Sequence, residues 1–341
     1  MLMLRLLKIS LFLTRVLPDP VVRWIFYPLG TLAYLTRPEQ RRAIIANQRQ
    51  VVGPAGGLRL HWQAWRVFMN SLRNYHALLR ILALTDQQLQ ALVEMRGREY
   101  LDEALQRGRG AIVLGAHVGN LNLLAPYMAL VSPLAGLIVE PVKPPELFEF
   151  VSAVRARTGL RLLPADRDGV RQAMRLLRDN GVLAVVGDRY LGANGTPVRF
   201  FGRPAMLPHG PVVLALRTEA PLLPVTLYSR PGGRQVAELR PPLELVDTGD
   251  RHEDLRANMR LVAAAVEETI RAAPHQWVML DPVWVDGALD AAGAPGIARA
   301  SRAARVSWRR LAVAIGAGAA LIGLGALLRM LVLGRRRRLG W

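Results

Sequence analysis

The sequence predicts an α/β fold, with a mostly parallel central sheet flanked by helices, a helical N-terminal membrane arm, and a C-terminal transmembrane or membrane-interfacial helix. Three observations lead to this prediction. Residues 1–90 carry apolar side chains at helical spacing, short apolar runs alternate with helical segments from about residue 94, and an uncharged apolar stretch lies near the carboxyl terminus. Strands that alternate with helices along a chain form mostly parallel sheets.

Residues 1–90 are predicted to form a helical, membrane-associated arm. Two helical patterns, "RRAIIANQRQVV" and "LHWQAWRVFMNSLRNYHALLRIL", are separated by "GPAGG". Residues 1–44 mix basic side chains with Leu, Phe, Ile and Trp, as helices at a membrane surface do. Arg5, Lys8 and Arg15 interrupt the apolar start and no small-residue cleavage site follows, so an interfacial helix is favoured over a signal peptide.

Residues 91–289 are predicted to form the α/β domain. The strand candidates are "AIVLGA", "LAGLIVE", "LRLLP", "GVLAVVGD" and "LLPVTLY". The helix candidates between them are "LNLLAPYMALV", "ELFEFVSAVRART" and "DGVRQAMRLLRDN". We expect "RQVAELRPPLEL" to add a strand at an edge of the sheet, and "DLRANMRLVAAAVEETIRAA" to close the domain as an amphipathic helix.

The C-terminal residues are predicted to form a basic linker (290–310), a hydrophobic membrane helix (311–334) and a basic tail (335–341). Residues 311–328 carry no charge, which is about the minimum length that spans a bilayer. Because arginines lie on both sides of this stretch, the sequence does not fix the orientation of the helix.

The net charge of +19 predicts an anionic partner. Because the basic residues flank apolar stretches and no nucleic-acid module is recognisable, we expect anionic membrane lipids as partners and no nucleic acid. The chain has no cysteine, which excludes disulfides, thiolate metal sites and a cysteine nucleophile. There is no GxSxG motif, P-loop or HExxH pair, so we predict no metal and no cofactor.

Chemically capable residues lie where three predicted strands end. His117 follows the first of these strands, Glu140 follows the second and Asp188 follows the fourth. Ligands bind open parallel sheets at the carboxyl ends of the strands, so these three residues form one candidate catalytic site. His117 lies between Gly115 and Gly119 and is a candidate general base.

Each of these residues also has a structural interpretation that the sequence leaves open. His117 could be a buried histidine satisfied by backbone, and Glu140 a solvated loop residue. Asp188 could form a salt bridge with Arg189. Asn122, in the first turn of the next helix, either orients the His117 imidazole or caps the helix.

Further residues are predicted to contact substrate. They are Gly119, Asn120, Arg155, Arg189, Arg199 and Arg203. In "VRFFGRPAMLPHGP" the arginines surround two phenylalanines that look exposed, a combination that suits an amphiphile with a charged head. The alternatives are a solvated helix arginine at position 155 and a hairpin that packs its aromatic rings on the core.

Four stretches in order resemble the lysophospholipid acyltransferase superfamily, in its bacterial lipid A (Kdo2-lipid A) and phosphatidylinositol mannoside acyltransferase branch. They are "RGREYLDEALQRGRGAIVLGAHVGNLNLL", "VEPVKPPELFEFVSAVRARTGLRLLP", "GVLAVVGDRYLGANGTPVRFFGRPAMLPHGPVVLALRTEAPLLPVTLY" and "HQWVMLDPVW". The resemblance covers roughly residues 20–285.

The resemblance implies transfer of an acyl group from acyl-CoA or acyl carrier protein to a glycolipid hydroxyl, at the cytoplasmic face of a bacterial inner membrane. It implies that His117 is the general base and that Glu140, Arg155 and Asp188 line the acceptor pocket. Backbone amides after His117, at the start of the following helix, are expected to help stabilise the oxyanion.

The family motif places an acid five residues after its histidine, where this chain has Asn122. One hypothesis is that Glu140 or Asp188 supplies the missing charge. A second is a retained fold that binds glycolipid or acyl chains without transferring them. A third is a basic scaffold whose role would not depend on His117.

Overall fold

The computed structural model describes residues 19–81, 84–132, 134–139, 159–190 and 195–284. The predicted linker, C-terminal membrane helix and tail therefore lie outside the described residues, as do Glu140 and Arg155. Within the described ranges, no helix combines the length and the apolar character needed to cross a bilayer. The membrane association of the N-terminal arm stays a prediction.

Three helices make up the described part of the arm: α1 (Asp19–Thr36), α2 (Pro38–Val52) and α3 (Gly57–Arg80). Pro38 starts α2, because a first-turn N–H has no partner inside a helix and proline lacks that N–H. Gly53, which follows α2, has a φ of 74°, a conformation that side chains other than glycine rarely adopt.

The α/β domain follows the arm. Its elements in chain order are α4 (Asp86–Leu92), β1 (Val93–Arg96), α5 (Arg98–Gln106), β2 (Ala111–Gly115), α6 (Leu121–Val131), β3 (Ala135–Val139), β4 (Arg161–Pro164), α7 (Arg167–Arg178), β5 (Val182–Val186), β6 (Gly195–Phe200), β7 (Arg203–Pro208), α8 (Gly210–Thr218), β8 (Leu222–Ser229), β9 (Gln235–Leu239) and α9 (Arg251–Ala272). Short 3₁₀ turns cover Pro231–Gly233 and Pro274–Gln276. The five strands predicted between residues 111 and 228 are confirmed as β2, β3, β4, β5 and β8. The predicted burial is wrong for β4, an edge strand in which only Leu163 is buried.

In the part of the chain that the structure describes, the main sheet has seven strands in the order β1-β9-β8-β2-β5-β3-β4. The five strands from β8 to β4 are parallel, whereas β9 is antiparallel to β8 and β1 runs parallel to β9. The mostly parallel sheet is thus confirmed. The expected edge position of β9 is wrong, because the four-residue strand β1 pairs along its outer side. A strand this short carries too few alternations to be recognised in the sequence.

Both faces of the sheet are buried. In β2, Ile112 and Leu114 belong to a core cluster that includes Val262 and Val266 of α9. Ala111 and Val113 belong to the opposite cluster, with Met128 of α6. Burial on both faces explains why the strand is a continuous apolar run without alternation.

The strands β6 and β7 form a separate antiparallel hairpin. Phe200 is 0% exposed and Phe201 is 8% exposed, so the expectation of exposed phenylalanines is wrong. The Phe200 ring stacks on Trp284 with ring centroids 5.6 Å apart. The alternative, a hairpin that packs its aromatic rings on the core, is confirmed.

Side-chain amides of α2 and α3 join the arm to the α/β domain. Asn47 donates to the carbonyl of Asp281 at 2.8 Å, and Gln48 donates to the carbonyl of Pro274 at 2.8 Å. From α3, Asn74 donates to the carbonyl of Gly119 at 2.8 Å. The last contact places α3 directly beside the turn that carries His117.

Candidate active site

His117 and Asp188 are in direct contact at the carboxyl edge of the sheet. The Asp188 Oδ1 atom lies 2.8 Å from His117 Nδ1. The backbone N–H of His117 donates to Asp188 Oδ2 at 2.9 Å. Because β2 and β5 are adjacent and parallel, the residues that follow them meet at one edge, as the sequence pattern predicted for this pair.

Trp277 provides the third hydrogen bond to Asp188. Its indole N–H donates to Asp188 Oδ2 at 2.8 Å, and Trp277 is only 1% exposed. The carboxylate therefore accepts three hydrogen bonds, two from His117 and one from Trp277. Trp277 lies in "HQWVMLDPVW", which contributed to the resemblance, but sequence analysis assigned it no role.

Asp188 is a buried carboxylate that remains ionised. Burial alone raises the pKa of this carboxyl group. The adjacent His117 charge and the hydrogen bonds from His117 and Trp277 outweigh burial, so the net pKa of Asp188 is lowered. The His117 side chain keeps 30% exposure, while that of Asp188 has none. An ionised acid thus holds one ring nitrogen, and the imidazole remains accessible.

The turn after β2 is locked from several sides. The carbonyl of His117 accepts a hydrogen bond from the N–H of Val278 at 2.8 Å, and Val118 forms a bridge with Trp277. Gly119 has a φ of 67°, and a Cβ atom there would lie 2.6 Å from the carbonyl oxygen of Leu227. Close packing against β8 therefore explains this glycine. Its predicted contact with substrate is not needed to account for it and stays a prediction.

The amides that follow His117 are already used within the protein. The N–H of Val118 donates to the carbonyl of Ala116 at 2.7 Å, and that of Gly119 donates to the carbonyl of Gln276 at 3.2 Å. These two groups are not available to the predicted oxyanion interaction. At the start of α6, the N–H groups of Leu123 and Leu124 donate to the carbonyl of Asn120 at 3.0 Å and 3.3 Å. The oxyanion interaction of the amides at the helix start stays a prediction.

Asn122 lies in the first turn of α6, as expected. Its side-chain amide donates to the carbonyl of Asn74 in α3 at 3.0 Å. Asn120 is the N-cap residue, but its side chain makes no capping hydrogen bond. Asn122 therefore joins α6 to the arm, and the helix-capping alternative for this residue is wrong.

The predicted arginines have separate surroundings. Arg189 pairs with Asp281 at 3.4 Å, so the alternative salt bridge between Asp188 and Arg189 is wrong. Arg199 and Arg203 are exposed on the β6–β7 hairpin, and Arg199 donates to the carbonyl of Gly202 at 3.1 Å. The predicted contacts of these arginines with substrate stay predictions.

Among the described residues, no group of three His, Cys, Asp or Glu side chains is placed to hold a metal ion.

The structure brings together His117, Asp188 and Trp277, of which Trp277 was not predicted. Asn120 and Gly119 follow in the same turn, and Asn122 contacts the arm.

The sequence is similar to a described bacterial family and to acyltransferases of known name. The family described as bacterial lipid A biosynthesis acyltransferase matches residues 3–285. A phosphatidylinositol mannoside acyltransferase of Mycobacterium tuberculosis (strain CDC 1551 / Oshkosh) is 30% identical over 287 residues, covering 80% of this chain and 85% of that protein. The protein of the same description from Mycolicibacterium smegmatis is 26% identical over 216 residues, covering 62% of this chain and 69% of that protein.

Proposed function

This chain belongs to the bacterial lipid A biosynthesis acyltransferase family, and from that premise we propose that it transfers a fatty acyl group to a hydroxyl group of a glycolipid. The donor is acyl-CoA or acyl carrier protein. The acceptor is a phosphatidylinositol mannoside-like or lipid A-like molecule, as the names of the family and its relatives suggest. The enzyme acts at the cytoplasmic face of the bacterial plasma membrane. The contact between His117 and the buried Asp188 carboxylate carries the proposal.

The reaction follows from the state of the imidazole. The Nδ1–H group of His117 donates a hydrogen bond to the Asp188 carboxylate. The lone pair of Nε2 is therefore free to accept a proton from the substrate. Nε2 accepts the proton of the acceptor hydroxyl as its oxygen attacks the thioester carbonyl carbon. The tetrahedral intermediate then breaks its carbon–sulfur bond, and the leaving thiolate takes up the proton from the imidazolium. The products are an ester and a free thiol.

Asp188 supplies the charge that position 122 lacks. A carboxylate on Nδ1 fixes the tautomer and stabilises the imidazolium that forms when Nε2 takes up a proton. Asn122 is uncharged and donates to Asn74, so it cannot perform this role. The presence of an asparagine at position 122 therefore does not remove the catalytic acid–imidazole pair.

The described part of the arm supports membrane contact through its exposed apolar side chains. Leu58 is 90% exposed and Trp24 is 75% exposed, and Leu35 and Trp62 are also exposed. Trp62 stacks on Trp65 with ring centroids 4.8 Å apart. Exposed apolar and aromatic groups on basic helices suit the interface of an anionic membrane.

The experiment is an acyl-transfer assay on membrane extract, with long-chain acyl-CoA and mannosylated lipid acceptors. We expect wild type to transfer the acyl group and His117→Ala to lose activity by about 100-fold to 10,000-fold, the usual contribution of a general base. His252→Ala, which removes an exposed histidine at the start of α9, is the matched control and should retain activity.

A second candidate function, glycolipid binding without transfer, rests on the missing acid at position 122. It would replace the enzyme proposal if wild type bound the acceptor but transferred nothing with either donor. Equal activity of wild type and His117→Ala would exclude His117 as the base.

A further inference from the structure

A pocket of about 240 Å³ is lined in part by Gly119 and Asn120, which follow His117 in the same turn. Its walls are α3, the start of α6 and the turn between β8 and β9. The lining residues used below are Arg73, Arg230, Asn74, Asn120 and Gln276. Asn120 is three residues from His117, so their Cα atoms are no more than about 11 Å apart. The pocket therefore adjoins the candidate catalytic residue.

The pocket is basic, and the described residues that line it include no acid. Its arginines come from two directions, Arg73 and Arg80 from α3 and Arg230 from the β8–β9 turn. Arg230 also pairs with Glu94 at 3.2 Å outside the pocket. No ion pair in the described part of the chain involves Arg73, which is exposed. Arg73 is therefore available to bind an anion.

The arginines of α3 recur at a regular interval. Arg59, Arg66, Arg73 and Arg80 are each seven residues apart, and α3 contains no acidic residue. Seven residues are close to two helical turns, so the four lie along one side of the helix. The pKa of Arg66 is lowered, first by burial and then by the charge of Arg73. The arginines of α3 are therefore close enough to act on one another electrostatically. Charge of one sign concentrated beside a pocket attracts the opposite sign.

Asn120 provides a second, independent indication of a ligand. It is 5% exposed, and its Oδ1 atom is buried with no hydrogen-bond partner among the described residues. An unsatisfied buried acceptor is costly, so such atoms usually have a partner in the working state. By contrast, Asn74 and Gln276 are already engaged, Asn74 with the carbonyl of Gly119 and Gln276 with the backbone of Ser229.

We propose that this pocket binds a phosphate ester with a neighbouring hydrogen-bond donor, the phosphate on Arg73 and Arg230 and the donor on the side chain of Asn120. The inference rests on the proposed function, because the acceptor and the donor of that reaction each contain a group with this chemistry. One is the phosphorylated polyol headgroup of a glycolipid acceptor. The other is the phosphopantetheine arm of the acyl donor, which carries hydroxyl and amide donors.

Isothermal titration calorimetry on the purified full-length protein tests the proposal without requiring turnover. The probes are glycerophosphoinositol and 4′-phosphopantetheine, each compared with its counterpart without phosphate, myo-inositol or pantetheine. We expect one phosphorylated probe to bind at least about ten-fold more tightly than its counterpart, since charged hydrogen bonds are roughly that strong. The probe that binds identifies the source of the phosphate. If neither phosphorylated probe binds better than its counterpart, the proposal is wrong.

Two variants and a matched control locate the binding. Arg73→Gln should weaken the phosphorylated probe by at least about ten-fold and leave the unphosphorylated one unchanged. Arg59→Gln removes the same charge from α3 outside the pocket and should change binding less than about two-fold. Equal effects of these two variants would overturn the assignment to this pocket.

Asn120→Ala should weaken binding without lowering the melting temperature, because Oδ1 has no partner to lose in the free protein. A lower melting temperature with unchanged binding would show a structural role instead and contradict the proposal. Probe binding with no acyl transfer would refute the proposed function and leave this inference standing. Acyl transfer with no phosphate-dependent binding would do the reverse.

Discussion

Two groups of residues lie beside the His117 turn, one around Asp188 and one lining the pocket, and these two sides differ in how their polar groups are satisfied. On one side Asp188 is fully buried, accepts three hydrogen bonds and is ionised. On the other side Arg73 is exposed without an ion pair in the described part of the chain, and Asn120 keeps an unpartnered oxygen. A group that must hold one geometry during chemistry is satisfied by the protein, and groups that bind a ligand are left to be satisfied by it.

The same difference extends to the supporting elements. The carboxylate is held by β5, β2 and the segment that carries Trp277, all of which are anchored in the buried core. The pocket is walled in part by α3, which joins the domain through side-chain amides and through Ala77 and Leu78, which pack with Leu123 of α6. We therefore expect substitutions on the first side to affect turnover and stability, and those on the second to affect binding.

The largest effect is expected from Asp188→Asn, which replaces the carboxylate that accepts hydrogen bonds from His117 and Trp277. In this variant the amide oxygen would accept from Trp277, so the amide nitrogen would face His117 Nδ1 and donate to it. Nδ1 would then carry no proton, and the ring proton would lie on Nε2. A protonated Nε2 cannot act as the base. We expect kcat to fall by about 1,000-fold or more, as for other acid–imidazole pairs in the wrong tautomer. Steady-state acyl-transfer kinetics measure this.

The control for that variant is Asp166→Asn at the start of α7. Asp166 accepts from the N–H groups of Asp168 and Gly169, and asparagine caps helices equally well, so kcat should not change. If Asp188→Asn retained activity within about three-fold of wild type, the imidazole would not depend on this acid.

Next in size is Gly119→Ala, which disturbs the turn between the two sides. An added Cβ would lie 2.6 Å from the Leu227 carbonyl oxygen at a φ of 67°. We expect the free energy of unfolding to fall by about 2–4 kcal/mol, from strain and overpacking together. Gly53→Ala is the matched control, since its φ is 74° and nothing lies within 4 Å, and should cost only about 1 kcal/mol. Equal losses in chemical denaturation would show that the contact with Leu227 is unimportant.

A smaller effect is expected from Asn122→Asp, which places the acid of the family motif in the first turn of α6. Aspartate cannot donate to the Asn74 carbonyl and would place a negative charge against it. We expect the free energy of unfolding to fall by about 1–2 kcal/mol without a gain in kcat, because Asp188 already supplies the charge. Thermal denaturation and transfer kinetics test this, and a variant faster than wild type would show that position 122 acts on the imidazole.

The smallest effect at neutral pH concerns the buried imidazole of His275, whose contribution to stability changes with pH. The pKa of His275 is lowered to about 4, first by burial and then by Arg66, compared with 6.5 in the unfolded chain. Between these values the unfolded state binds the extra proton, so wild type should lose stability as pH falls from about 6.5 to about 4. His275→Gln should show a smaller decrease in melting temperature over this range. An identical pH profile for both proteins would mean that the buried imidazole does not contribute.

Regular elements of the domain followed from the sequence, because burial on both faces leaves a recognisable apolar run. The five strands between residues 111 and 228 were predicted in this way, as was the position of His117 where a strand ends. β1 was missed because four residues show too little pattern, and β9 was misplaced because strand order depends on pairings distant in sequence.

What the sequence determined by itself was the family, the parallel sheet and the meeting of His117 with Asp188, since parallel strands bring their carboxyl ends to one edge. Only the tertiary structure decided which carboxylate contacts Nδ1 among the described residues, that Trp277 completes its hydrogen bonds, and that Asn122 binds the arm. It also decided that Phe200 is buried and that α3 brings Arg73 beside Asn120. These contacts join residues many positions apart, and side-chain direction and packing set them without leaving a local pattern.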